Sequence, residues 1–154
     1  MRIYFASDHA GFEMKNSMKE FVGGLHYEVE DCGAYEMDPD DDYTLFISRA
    51  AEAVSKDPAN GKAIIFGGSG QGEAIVANKF PHVRAVEYYG PTEDKDHLEI
   101  VRLSREHNDA NILSIGARFV SLPEAREAIE LWLKTPFSNE ERHVRRIAEI
   151  DNIN

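Results

Sequence analysis

Ala63-Ile64-Ile65-Phe66-Gly67-Gly68-Ser69-Gly70-Gln71-Gly72-Glu73 runs from a short apolar stretch into a glycine-dense turn, and Ala74-Ile75-Val76-Ala77-Asn78-Lys79 follows it. An apolar run bounded by turn formers reads as a buried strand, and the segment after the turn reads as the start of a helix. Glycines in such a turn free backbone N–H groups to face an anion, and the helix N-terminus adds positive potential. Glu73 stands where that helix begins. The segment is therefore either a cradle for a phosphate or sugar with a carboxylate base beside it, or a plain tight turn. Its spacing is not G-x-x-x-x-G-K-[ST]. It also departs from G-x-G-x-x-G and lies on the third strand, so neither a Walker loop nor a dinucleotide fingerprint is expected.

The same alternation extends in both directions. Arg2 to Ser7, Tyr27 to Cys32, Lys62 to Phe66, Arg84 to Tyr88 and Ile112 to Ile115 read as strands. Helices are expected over Phe12 to Val22 (closed by Gly23-Gly24), Tyr43 to Ser55, from Ala74, over Pro91 to His107, over Pro123 to Lys134 and over Ser138 to Ile150. The start of the Pro91 helix, Thr92 to Asp96, is charged enough to be loop. Ser138 with Glu141 three residues on has the pattern of a capping box. Glu36 to Asp42, acidic and broken by Pro39, reads as a loop. Five strands alternating with helices predict an α/β fold, a three-layer α/β/α Rossmann-like sandwich with a five-stranded parallel sheet and a C-terminal helix. One domain over residues 1–154 is expected. Ligands of such sheets bind beyond the carboxyl ends of the strands. Ser7-Asp8-His9, the glycine turn and Gly116-Ala117-Arg118 fall there.

The formal net charge of −11 argues against nucleic-acid binding. A chain this acidic needs locally clustered Arg and His to hold an anionic substrate. The one cysteine, Cys32, excludes an intrachain disulfide and a cysteine zinc cluster, and it reads as a small buried residue. No H-E-x-x-H or compact carboxylate–histidine motif points to a metal. There is no signal-peptide layout and no stretch long enough to span a membrane, so a cytoplasmic location is the expectation.

Several polar residues carry two readings. Asp8 and His9 are either loop residues or contacts to a hydroxyl or phosphate. Glu73 either favours the helix dipole or serves as a base. His107 is either a solvated helix end or a proton shuttle. Arg142, Arg145 and Arg146 share a helix face, as a salt-bridge surface or as a phosphate clamp. His26, His82 and His97 read as surface residues.

Taken in order, Ser7-Asp8-His9-Ala10-Gly11-Phe12-Glu13-x-Lys15, Gly68-Ser69-Gly70-Gln71-Gly72, Ala77-Asn78-Lys79, Arg105-Glu106-His107-Asn108-Asp109-Ala110-Asn111, Gly116-Ala117-Arg118 and Arg142-His143-x-x-Arg145-Arg146 resemble the ribose-5-phosphate isomerase B family, which also contains galactose-6-phosphate isomerase subunits. The resemblance covers nearly the whole chain. It implies a metal-free and cofactor-free aldose–ketose isomerase that interconverts D-ribose 5-phosphate and D-ribulose 5-phosphate through a cis-enediolate, in the pentose phosphate pathway. Many members have a base cysteine just before the Gly-Ser/Thr-Gly core. Gly67 stands there in this chain, so it is similar to the cysteine-less branch, whose base maps to Glu73.

By the same resemblance Ser69 helps hold the base or enediolate, and His107 assists ring opening in place of a histidine whose position corresponds to about Tyr89. Asp8, Tyr43 and Asn108 approach the sugar. Gly68, Gly70 and Gly72 line the anion hole, while His9, Arg118, Arg142 and Arg146 surround the phosphate. Arg145 is structural. The family implies a homodimer, possibly a tetramer, with sites shared between subunits, so a monomer is expected to be inactive. Tyr89 to Arg102 is longer than in typical members, which leaves another aldose phosphate, such as a tetrose or hexose phosphate, as one alternative; the missing cysteine leaves a non-catalytic sugar-phosphate-binding subunit as another.

Overall fold

A computed structural model describes residues 1–90 and 97–153. Its strands are β1 (Arg2–Ser7), β2 (Glu28–Asp31), β3 (Gly61–Gly67), β4 (Ala85–Tyr88) and β5 (Ile112–Gly116). All lie in one parallel sheet of order β2-β1-β3-β5-β4. The helices are α1 (Phe12–Gly24), α2 (Tyr43–Lys56), α3 (Gln71–Ala77), α4 (Glu99–Asn108), α5 (Leu122–Lys134) and α6 (Glu141–Asp151). A 3₁₀ turn, His9–Gly11, precedes α1. The expected α/β sandwich is therefore the architecture. No helix among the described residues is long and apolar enough to cross a membrane.

Alternation along the strands divides the core. Ile64 and Phe66 of β3 pack with Phe5, Met18, Leu113, Ile129 and Trp132 on the α1–α5 face. Ala63 and Ile65 face the other way, onto Ala50, Ala51, Val54 and Ala77 of α2 and α3. Both faces of the central strands are covered, which is why Ala63 to Phe66 of β3 is an unbroken apolar run and β5 is apolar but for the buried Ser114. The direction of progression across the sheet reverses between β1, which connects through α1 to β2 on one side, and β3, which leads through α3 toward β4 on the other. That switch point opens a crevice at the carboxyl ends of β1 and β3.

Buried Lys15 pins one wall of this crevice. Its Nζ donates to Asp31 Oδ1 at 2.8 Å and to the carbonyl of Ala34, tying α1 to the end of β2. Gly11 must be glycine for the turn after β1 to seat. A Cβ there would lie 2.6 Å from Phe66 Cβ and 2.7 Å from its carbonyl carbon.

Three local expectations are corrected. Gly23 and Gly24 form the last turn of α1 rather than ending it, and His26, with φ 68°, takes the left-handed position. Helix α3 starts at Gln71, three residues before Ala74, because Gly70 (φ 86°) reverses the chain at once. Ser138 does not cap the last helix. It lies two residues before the N-cap Glu140, and its Oγ is bonded to His143 Nδ1 at 2.9 Å. The capping box belongs to α5, between Ser121 and Glu124. Of the elongated segment Tyr89 to Arg102, residues 91–96 lie outside the described residues; the expected Pro91 start falls there, and α4 begins at Glu99.

Candidate active site

Beyond the carboxyl ends of β1, β3 and β5, three short turns meet. The β3 turn delivers Glu73 into the first turn of α3, where it is 4% exposed. Its carboxylate rests against Gly67. A Cβ on Gly67 would lie 1.9 Å from Glu73 Oε1 and 2.1 Å from Cδ. The absence of a side chain at residue 67 is thus the space the carboxylate occupies. Gly70 adopts a left-handed backbone that other residues rarely take, and a Cβ on Gly72 would meet the Tyr43 hydroxyl at 2.9 Å. The turn is therefore tight against both the Glu73 carboxylate and Tyr43. Ser69 Oγ accepts from the Gln71 amide at 3.3 Å, inside the turn.

Burial pushes the Glu73 carboxyl above the usual range, and the negative charges of Asp8 and Glu87 push in the same direction. The amides of Glu73 and Gly70 oppose them. Desolvation leads, which is how a carboxyl is raised toward the pKa of a useful base. Glu87 was not anticipated as part of this surround. It sits on edge strand β4 with Oε1 buried and unbonded, and burial raises its own carboxyl. A charged residue inside an apolar strand was the available sequence signal.

Asp8 is buried, and its Oδ1 accepts from the Gly11 amide at 3.1 Å, which sets the 3₁₀ turn and aims the residues after β1. His9 is bonded through Nδ1 to Asp41 Oδ1 at 2.7 Å. From the turn after β5, the Arg118 amide donates to the Gly68 carbonyl at 3.1 Å, and the Arg118 guanidinium covers Gly68. Positive charge from Arg118 reaches His9. Asp8, His9 and Asp41 also hold potential metal-ligand atoms within 4.8 Å of one another. His9 Nδ1 and Asp8 Oδ1 are already committed to hydrogen bonds within the chain, so the cluster reads as an ion pair beside a turn.

The structure therefore brings together Asp8, His9, Tyr43, Gly68, Ser69, Gly70, Gly72, Glu73 and Arg118. It does not bring His107, Asn108, Arg142 or Arg146 to them. The end of α4 leads into the amino end of β5: Ala63 N–H bonds the Asn111 carbonyl, and Arg84, just ahead of β4, bonds the Asn108 carbonyl. The register Ala63↔Ile112 to Gly67↔Gly116 spans the sheet. At the usual strand rise its two ends are about 13 Å apart. His107 packs against buried His143 of α6, ring centroids 4.4 Å apart and ring planes tilted by 44°, at that opposite end. Arg142 pairs there with Glu140 at 2.9 Å, Arg145 approaches Glu149 at 3.8 Å, and Arg146 is exposed.

Cys32 has no place in either group. It lies in the α2-side core, 7% exposed, and burial pushes its thiol up to about 11, which makes it a poor base or nucleophile.

The fit between Gly67 and Glu73 gives a first prediction. Gly67→Ala forces the carboxylate off its seat by more than an ångström. The rate constant kcat falls about a hundredfold, the scale of such a misplacement. Steady-state kinetics with circular dichroism as a folding control would show it, and an unchanged kcat would mean that turnover does not depend on the carboxylate at this seat.

Residues 3–150 match the protein family described as Ribose/Galactose Isomerase. The chain is 40% identical to ribose-5-phosphate isomerase B of Mycolicibacterium paratuberculosis over 147 residues, 96% of this chain and 87% of that protein. It is 34% identical to the Escherichia coli enzyme of the same name over 152 residues, covering 99% and 95%. The fold superimposes on ribose-5-phosphate isomerase B from Mycoplasma genitalium with bound ribulose-5-phosphate at a TM-score of 0.90 and 31% identity, covering 97% of this chain and 93% of that one.

Proposed function

The chain belongs to the ribose/galactose isomerase family, and on that premise we propose that it interconverts D-ribose 5-phosphate and D-ribulose 5-phosphate in the pentose phosphate pathway. The observation that carries the mechanism is the buried Glu73 carboxylate seated on Gly67, beside Asp8 and over the glycine turn. Glu73 takes the proton from C2 of the opened sugar and returns it to C1. Between these transfers the negative oxygen of the enediolate faces the amides of the glycine turn. Asp8 and Tyr43 contact hydroxyls, and Ser69 shapes the turn. His9 and Arg118 lie where the phosphate charge is held. Glutamate thus does the work given to cysteine in other members.

Four of the expected site residues, His107, Asn108, Arg142 and Arg146, lie at the far end of the sheet, and this supports a homodimer whose sites are each completed by the other subunit. In that arrangement His107 opens the ring, Asn108 holds a hydroxyl, and Arg142 and Arg146 close on the phosphate of the partner's site. The surface near Glu73 suits such an interface. Among the described residues β4 leaves one sheet edge unpaired, and Ile75, Tyr89 and Phe119 are each at least 60% exposed.

The direct test is isomerisation of ribose 5-phosphate by purified protein with EDTA present, against a panel of tetrose and hexose phosphates. The highest kcat/KM is expected on ribose 5-phosphate. A better tetrose or hexose phosphate would replace the substrate and keep the reaction, and tight phosphosugar binding without turnover would replace both.

A further inference from the structure

The loop ahead of α2 carries Asp38, Asp40, Asp41 and Asp42, a run of negative charge where a phosphate ester has to be held. Asp41 alone turns inward. Its side chain is 6% exposed, while Asp38, Asp40 and Asp42 face solvent. Oδ1 accepts twice from one residue, from His9 N at 3.1 Å and from His9 Nδ1 at 2.7 Å. The second oxygen, Oδ2, is buried without a partner. A carboxylate this far from water needs a compensating positive charge. Among the described residues, His9 is its ion-pair partner.

A carboxylate can only accept, so Nδ1 carries a proton and points inward. Nε2 is then the nitrogen left for a ligand. The His9 backbone is fixed by the same oxygen that fixes the ring, so the imidazole has little freedom to turn. With Nε2 also protonated, the ring presents an N–H to an anion in the crevice.

We propose that Asp41 is a positioning residue: it locks the His9 imidazole with Nδ1 inward and keeps Nε2–H aimed at the substrate phosphate. The proposal rests on the reading of His9 as a phosphate contact. The groups facing His9 are Asp41 from the loop before α2, Asp8 from the end of β1 and Arg118 from the turn after β5. The net result is a raised imidazole pKa, with the Asp41 hydrogen bond the largest cause, Asp8 adding to it and Arg118 opposing it. The acidic loop thus lends one charge to sustain a cation and keeps its other acids in solvent.

Asp41→Asn tests this, because the amide oxygen still accepts from Nδ1 while the charge is gone. The His9 ring titration, followed by NMR, is expected to move to lower pH. The rise in KM for ribose 5-phosphate at high pH should move down with it. Near neutral pH, KM should increase about tenfold, the scale of a charge-assisted hydrogen bond reduced to a neutral one, with kcat nearly unchanged. In a His9→Ala background the same substitution should leave KM where His9→Ala put it. A His9 titration that does not move, or a KM increase that persists without His9, overturns the proposal. A titration that moves while KM does not overturns the phosphate role assigned to the pair. If ribose 5-phosphate is not turned over at all, the functional reading fails separately. The affinity for inorganic phosphate, measured across pH in both proteins, then decides for or against Asp41 in place of KM.

Discussion

Glu73→Gln lowers kcat by roughly two to four orders of magnitude, the share a positioned general base supplies, and leaves KM nearly unchanged. Glutamine has the shape of glutamate and fits the space over Gly67, so the pocket stays filled. What it lacks is the capacity to take a proton. The wild-type pH profile supplies a second readout. Because burial, Asp8 and Glu87 raise the Glu73 carboxyl, the acid limb of kcat/KM falls at a pH above the ordinary glutamate value. Activity is lost as pH drops through that limb, since only the ionised form accepts the C2 proton. The limb disappears in the variant.

Stability distinguishes this from unfolding. A raised carboxyl binds its proton more tightly in the folded chain than in the unfolded one. Between the unfolded and folded pKa values the folded state holds more protons, so this contribution to stability falls as pH rises through that window. At neutral pH the ionised, buried Glu73 is a cost, and glutamine removes it. The Tm of the variant is therefore equal to or above wild type at neutral pH, and the difference closes below about pH 4. A near-normal kcat in a folded Glu73→Gln protein would remove Glu73 as the base.

The second large effect is complementation between two inactive proteins. Glu73 and His107 lie at opposite ends of the sheet, so one chain cannot place both on one sugar. If each site takes Glu73 from one subunit and His107 from the other, homodimers of Glu73→Gln and homodimers of His107→Ala are both damaged at every site. A mixed dimer has one site with both defects and one with neither. Unfolding and refolding the two variants together at equal concentration therefore restores about a quarter of wild-type activity, since random pairing makes half the dimers mixed and half of their sites intact. Either variant refolded alone stays at its own low rate. No recovery in the mixture, with dimers present by sedimentation, would place both residues in one subunit's site or remove His107 from the reaction.

Much of the fold was legible because burial imposes a pattern. Ala63 to Phe66 is apolar at every position, and Ile112 to Ile115 at every position but Ser114, because both faces of the central strands are covered, and the helices between them show one apolar side. The misread ends have a common cause. Gly23-Gly24 and Ser138 carry strong local signals for a stop and a cap, but His26 took the left-handed position and His143 took the Ser138 hydroxyl. Local propensity decides an element's end only when no tertiary partner competes for the same group.

The sequence by itself determined the parallel α/β order, the glycine turn with Glu73 at the head of a helix, and the polar residues that follow β1 and β5. Each depends on spacing along the chain, which hydrophobic periodicity and turn chemistry expose. Tertiary structure alone decided which of those residues meet. It seated Glu73 on the bare Cα of Gly67, and it turned Asp41, one acid in a run of them, onto His9. It also carried His107 and the α6 arginines to the far end of the sheet. These outcomes depend on strand order and on which side of a loop faces inward, and the packing of distant segments fixes both.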